Sequence, residues 1–202
     1  MKKLKSTLPN MAIVLTSIAV IAGLALGYVN SVTEGPIKEI KAQQLSDGIK
    51  AVLNADDVTV EEPDTLESGA VLYRTDKGVA VQATDPNGFG GKLTVLVGFD
   101  NEGTIQGYQI LETSETPGLG AKADQWFQKG QKGDIIGKSP AHNNMTVSKD
   151  GGEVDAITAS TITSRAFLRC VNSAYEALST KDEDAQTGAS VQHKEEKEAD
   201  YE

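Results

Sequence analysis

The spacing of apolar residues changes character three times along the chain. From Met11 to Val29 there is no charged residue, only a run rich in Ile, Val, Leu and Ala, and Lys2, Lys3 and Lys5 stand before it. About twenty apolar residues in a helix cross the hydrocarbon core of a bilayer, so the run predicts one transmembrane helix over 11–29. A cleaved signal peptide has a shorter apolar region that ends in small residues. Ala25 to Gly27 imitate such an end, but the run is too long for that pattern, and a retained anchor is the expectation. With residues 1–10 held in the cytoplasm by their lysines, the chain beyond Asn30 is expected on the outer side.

Past the anchor, Ile37, Ile40, Leu45, Ile49, Val52 and Leu53 recur among polar residues at helical spacing. This predicts an amphipathic helix from about Pro36 to Leu53, with the proline in its first turn and Gly48 weakening it slightly. An acidic connection over 54–63 follows. From Ala70 the period falls to two. Val71 to Arg74 and Val79 to Ala83, separated by Asp76-Lys77-Gly78, read as a hairpin. Leu93, Val95, Val97 and Phe99 alternate along one face, Asn101-Glu102-Gly103 turns, and Thr104 to Leu111 returns as a second hairpin. Between them Pro86-Asn87-Gly88-Phe89-Gly90-Gly91 is expected to be a flexible loop. Its three glycines either let a planar ligand approach the backbone or simply make a long turn.

Further on, Pro117-Gly118 and Gly120 impose a sharp turn before a short helix holding Trp126 and Phe127, aromatics expected to serve burial. Residues 132–150 are glycine-rich and polar, and read as surface loop. Phe167, Cys170, Val171, Ala174 and Leu178 then return to helical spacing, predicting a helix from about Thr163 to Leu178 with one buried side. The pattern as a whole predicts an α+β protein. A transmembrane helix (11–29) and a helical connector (30–69) lead to one domain of antiparallel hairpins with flanking helices (70–180).

Composition sharpens this outline. At 202 residues, 39 % of them hydrophobic, the chain has material for one compact domain with attachments at its ends. The formal charge of −10 is concentrated: residues 181–202 hold eight acidic and three basic residues and no apolar periodicity, which predicts a solvated, disordered tail. No basic patch interleaved with aromatics appears, so a nucleic-acid partner is not expected. The single cysteine, Cys170, excludes an internal disulfide and any Cys-x-x-Cys motif, and its place on the apolar stripe marks it as structural. His142 and His193 are too far apart in sequence to suggest a metal site, and none is expected.

The candidate chemistry lies between Asp155 and Ser164, where Thr158, Ser160, Thr161, Thr163 and Ser164 crowd hydroxyls directly before the last helix. Such side chains favour helix starts because they accept hydrogen bonds from unpaired backbone N–H groups. A helix start equally suits an anion, since it presents those donors together with partial positive charge. A cap and a phosphate site are both open on this evidence. The stretch around Glu115, Thr116 and Leu119 combines hydrogen-bonding and apolar side chains suited to lining a pocket.

Two motifs in these stretches resemble one family, the covalent FMN-binding domain of the G subunit of the Rnf electron-transport complex and of the C subunit of the sodium-pumping NADH:quinone oxidoreductase. The family motif is Asp, two variable residues, Ser or Thr, Gly, Ala, Thr. Asp155, Thr158 and Thr161 match it, with Ala159 and Ser160 where Gly and Ala are usual. The second signature, Glu-Thr-Pro-Gly-Leu-Gly, is intact from Glu115 to Gly120, and a single N-terminal anchor is also a family feature.

The resemblance implies FMN in phosphoester linkage to Thr161, installed by a separate flavin transferase on which the hydroxyl attacks FAD and releases AMP. Asp155 would position or deprotonate that hydroxyl, with Thr158 and Ser160 beside it, and Glu115, Thr116 and Leu119 would contact the ring. It further implies electron transfer, without independent turnover, in a redox-driven ion translocase of the bacterial inner membrane. The soluble domain would lie on the outer side, with membrane and iron–sulfur subunits as partners. Two alternatives are the C subunit of the quinone-reducing pump, usually a longer chain, and a cofactor-free anchored scaffold in which 155–164 only caps a helix.

Overall fold

A computed structural model describes residues 7–198, with side chains through Thr180. Lys2, Lys3 and Lys5, and the side chain of His193, lie outside the described residues. The chain forms two units, Met1–Gln44 and Leu45–Glu202. The first is helix α1 (Leu8–Val52) up to Gln44, and the last turns of α1 belong to the second. Within the first unit Leu15, Ile21, Leu24 and Leu26 are all exposed, and α1 is long and apolar enough to cross a membrane. A helix apolar on every side with nothing packed on it has lipid as its natural solvent.

The sequence predicts two helices here, divided before Pro36, whereas α1 is continuous with Pro36 inside it. Proline removes one helical N–H and crowds the preceding residue out of α conformation, at a cost of about 3 kcal/mol. Gly35 has no Cβ to be crowded. One turn back, Thr33 Oγ1 donates to Val29 O at 2.8 Å.

Five strands form one antiparallel meander in chain order: β1 (Asp64–Thr65), β2 (Val71–Thr75), β3 (Gly78–Gly88), β4 (Gly91–Phe99) and β5 (Ile105–Glu112). The first predicted hairpin closes at the Thr75–Gly78 pair, and Thr75 Oγ1 donates to Gly78 O at 2.8 Å. The second turns on Asp100, whose Oδ1 accepts from Glu102 N at 3.0 Å and Thr104 N at 2.8 Å.

The expected flexible loop at 86–91 is instead a third hairpin. β3 runs through Pro86 to Gly88, β4 starts at Gly91, and only Phe89 and Gly90 form the tip. A register shift between Asp85 and Gly88 accommodates Pro86, which has no N–H to give to the ladder.

Every residue of β4 from Leu93 to Phe99 is buried, because both sheet faces are covered. On one face Leu93, Val95, Val97 and Phe99 meet Phe167, Cys170, Val171 and Ala174 of α3 (Thr161–Glu198). On the other, Leu96 and Ala80 meet Ile49, Val52 and Leu53 at the end of α1. Each fully buried Val, Leu or Phe contributes about 1.5–3 kcal/mol, so the α3 face dominates the stability of the domain. Phe167 stacks on Phe127 with centroids 4.2 Å apart and meets the edge of Tyr108 at 4.8 Å.

Residues 132–150, predicted as surface, contribute Ile135, Met145 and Val147 to this core. Their apolar side chains are too sparse to show a period, yet each is nearly inaccessible. α3 also differs at its end: it runs to Glu198, where the pattern predicts an end near Leu178 and then a disordered tail. The added segment is rich in Lys, Glu, Gln and Ala, all strong helix formers. Its side chains lie outside the described residues.

Candidate functional site

Three segments, far apart in sequence, enclose a cavity of about 340 Å3. The first is the β3–β4 tip. A Cβ on Gly90 would lie 2.0 Å from Ser114 O, so only glycine lets the tip press against the irregular segment that follows β5. Phe89 N donates to Glu115 Oε1 at 2.8 Å across this contact, fixing both residues.

The second segment is the turn Glu115–Gly120. Leu119 N and Ala121 N both donate to Thr116 O, at 3.1 and 3.3 Å, and Gly118 takes φ 79. The turn feeds a short 3-10 segment and α2 (Ala123–Trp126). Phe127 is fully buried behind it. Trp126 is half-buried and donates from Nε1 to Asp155 O at 2.8 Å.

The third segment carries the hydroxyls. Ser160 N donates to Ile157 O at 3.0 Å, closing a turn in which Ala159 has φ 62. Ser164, fully buried in the first turn of α3, reaches back: its Oγ accepts from Ile157 N at 2.9 Å and donates to Ser160 O at 3.0 Å. The loop is thereby folded onto the helix it precedes. Thr161 opens α3, so the backbone N–H groups of Thr161, Ile162 and Thr163, which a helix cannot pair internally, sit in the cavity wall. Their partial positive charge makes this wall attractive to an anion.

Phe89, Leu119 and Ile162 line the cavity while remaining 68 %, 43 % and 48 % exposed, an apolar rim rather than core. Deeper, two buried polar atoms have no hydrogen-bond partner, Glu115 Oε2 and Thr163 Oγ1. They press against Gly120 and leave no room for a side chain there. A Cβ there would lie 2.4 Å from Glu115 Oε2 and 2.8 Å from Thr163 Oγ1. An unpaired buried polar atom costs about 1–3 kcal/mol.

The residues singled out from sequence divide cleanly. Glu115, Thr116, Leu119, Ser160 and Thr161 come together in the cavity lining. Asp155 and Thr158 do not: Asp155 Oδ1 accepts from Ser148 Oγ at 3.2 Å, its carbonyl holds Trp126, and Thr158 is exposed outside the lining. Sequence reasoning placed no weight on Ile162 or on the close packing at Gly120, and it treated Thr163 only as one hydroxyl of five. The glycine beside Leu119 was the available signal for that close packing.

Two flanking features stabilise the site. Asp85, buried beneath the β3–β4 tip, pairs with Arg169 of α3 and accepts from Asn87 N at 2.6 Å. Burial works to raise its carboxyl pKa, but Arg169 and the Asn87 N–H outweigh it and hold the value below the usual range. Cys170 is buried against Leu93 O, and its thiol is pushed up to about 12, chiefly by burial, which leaves it protonated and inert.

Comparison with known proteins falls on the same segments. The FMN-binding domain family matches residues 88–176, which include all three walls of the cavity. The chain is 34 % identical to the G subunit of the ion-translocating oxidoreductase complex of Cronobacter sakazakii, over 78 % of this chain and 85 % of that one. The corresponding protein of Aliivibrio fischeri is 29 % identical over 90 % and 95 %, and that of Yersinia pestis 33 % over 75 % and 81 %. Shared along nearly the whole length of these relatives, the similarity establishes that this chain belongs to the family of FMN-binding G subunits of ion-translocating oxidoreductase complexes.

Proposed function

We propose that this chain is the electron-transfer subunit of a membrane-bound ion-translocating ferredoxin:NAD oxidoreductase, the Rnf complex, and carries FMN in phosphoester linkage on Thr161. The observation that supports this best is the sorting of the hydroxyls. Ser164 is consumed by two internal hydrogen bonds, Thr163 Oγ1 is buried, Ser160 is 8 % exposed, and Thr158 lies outside the lining. Thr161 alone combines partial exposure with a place in the cavity wall and at the start of α3.

The residues present fit FMN on two counts. The accessible hydroxyl residues Thr116 and Thr161 in the lining suit the polar parts of a ligand, and the rim of Phe89, Leu119 and Ile162 suits an apolar part. A flavin supplies both, and when bound it supplies one-electron chemistry. The first turn of α3 neutralises the phosphate end, and the rim excludes water from the ring. The position of Asp155, engaged with Ser148 and Trp126, favours a role in shaping the loop over one at the Thr161 hydroxyl.

The apolar helix supports anchoring in a membrane, which this reading takes to be the bacterial inner membrane, and the lysines before it favour the folded domain on the outer side. Its partners are then the other membrane and iron–sulfur subunits of the complex, with a flavin transferase needed only for maturation.

Co-expression with a flavin transferase, followed by denaturing electrophoresis, tests the reading. A fluorescent band is expected from the wild type and a dark one from Thr161→Val, with both proteins equally folded. A dark wild-type band supports the cofactor-free scaffold, and a fluorescent Thr161→Val band assigns the linkage to another residue.

A further inference from the structure

We infer that Glu115 is a positioning residue whose carboxylate seats the β3–β4 tip, and with it Phe89, at the mouth of the cavity. What Phe89 then shields rests on the flavin reading above, whereas the seating of the tip stands without it.

Three glycines carry the inference. None of Gly88, Gly90 and Gly120 stands in the left-handed region, so backbone freedom does not call for them. Space does. A Cβ on Gly88 would lie 2.9 Å from Glu115 Oε1, one on Gly90 2.9 Å from Glu115 N, and one on Gly120 2.4 Å from Glu115 Oε2. Glycines of the tip and of the turn thus converge on one residue. Glu115 is 8 % exposed, and Phe89 N donates to its Oε1 at 2.8 Å. Thr163, fully buried in the first turn of α3, closes the far side, its Oγ1 2.8 Å from where the Gly120 Cβ would lie. The carboxylate is therefore packed between the tip and the turn, and α3 backs it.

Phe89 is 68 % exposed, so packing of its side chain does not hold it at the rim and its place is set by its backbone. The base of the tip has its own anchor, where Asp85 pairs with Arg169 and accepts from Asn87 N. Beyond Asn87, the bond from Phe89 N to Glu115 ties the tip to the turn. That bond requires an acceptor at the full reach of a glutamate. A glutamine offers the same oxygen at the same reach, whereas an aspartate is one methylene shorter and leaves Phe89 N unpaired. The role depends on length and an acceptor atom rather than on charge.

Limited chymotrypsin digestion of the full-length protein in nanodiscs, followed by mass spectrometry, reads the seat through cleavage after Phe89. Cleavage there follows the population of the open tip. Glu115→Ala and Glu115→Asp are expected to be cut about tenfold to a hundredfold faster than the wild type, as befits the loss of one hydrogen bond to a carboxylate. Glu115→Gln is expected to match the wild type. Should Glu115→Ala fail to fold, the Asp and Gln pair carries the comparison. In the protein co-expressed with the transferase, iodide quenching of flavin fluorescence reads Phe89. Quenching is expected to rise in Phe89→Ala and in Glu115→Asp, and to rise no further when the two are combined, because Glu115 acts through Phe89.

Equal cleavage of the wild type, Glu115→Ala and Glu115→Asp overturns the seat, as does a Glu115→Gln protein cut as fast as Glu115→Asp. Additive quenching in the double variant overturns action through Phe89. A wild type that bears no flavin sinks the flavin reading alone, and cleavage then decides the seat by itself.

Discussion

Ala159 stands in the left-handed region at φ 62, in the turn that delivers Thr161 to the cavity. Only glycine adopts this conformation without a Cβ clash, and an L-residue is penalised by about 1–2 kcal/mol. Replacing Ala159 by glycine removes that penalty. It also gives the unfolded chain more freedom, which works against folding by about 0.4–1 kcal/mol. The net expectation is that Ala159→Gly stabilises the domain by about 0.5–1 kcal/mol, raising Tm by about 1–4 °C for a domain of this size.

Trp126 makes the measurement direct, since it is the only tryptophan in the chain and its indole N–H is bonded to Asp155 O at the start of the same loop. Thermal unfolding of the detergent-solubilised protein would be followed by its emission. Ala159→Val is the opposing control, because β-branching deepens the left-handed penalty, and its Tm should fall below that of the wild type. An unchanged or lower Tm for Ala159→Gly would refute the reasoning, showing that the turn is not strained by its alanine.

Gly98→Ala should destabilise by about 1–3 kcal/mol in urea unfolding, because the new Cβ would lie 2.4 Å from Val52 O and backbone has to move. Cys170 should resist iodoacetamide in the native protein and react only after denaturation, a contrast readable by mass spectrometry. Asp85 has a lowered folded pKa, so its stabilisation is present above the unfolded carboxyl value of about 3.9 and is lost as pH falls through the folded value. Stability should therefore be flat in this respect from pH 7 to about 5 and drop in acid, and Asp85→Asn should make the acid limb shallower.

Alternation along Leu93, Val95, Val97 and Phe99 was enough to place β4 and its α3 face, because a period of two is a local property of the chain. The third hairpin was hidden for the opposite reason. Gly88, Gly90 and Gly91 look flexible by composition, and the contact that orders them comes from Ser114 and Glu115, beyond two intervening strands. Ile135, Met145 and Val147 went unnoticed because irregular segments bury single side chains without any repeat.

In the site, motif residues such as Glu115 and Thr161 were legible as types suited to a ligand. What sequence does not contain is the relation between Glu115 Oε2 and Thr163 Oγ1, two unpaired buried atoms packed against Gly120, where no side chain fits. Ser164 illustrates the same limit. Its sequence neighbours suggest an attachment candidate, and only the hydrogen bonds to Ile157 and Ser160 reveal it as the clasp of the loop.

The burial of β4 on both faces has a consequence for how the apoprotein behaves. Its amides, paired to β3 and β5 and covered on each side, belong to the slowest class for hydrogen exchange, while the turns at Glu115–Gly120 and Asp155–Ser160 hang from this slab by a few bonds. Exchange at the recess is therefore expected to be faster than in the sheet. Occupancy by a ligand should appear as selective protection of the two turns against an unchanged sheet.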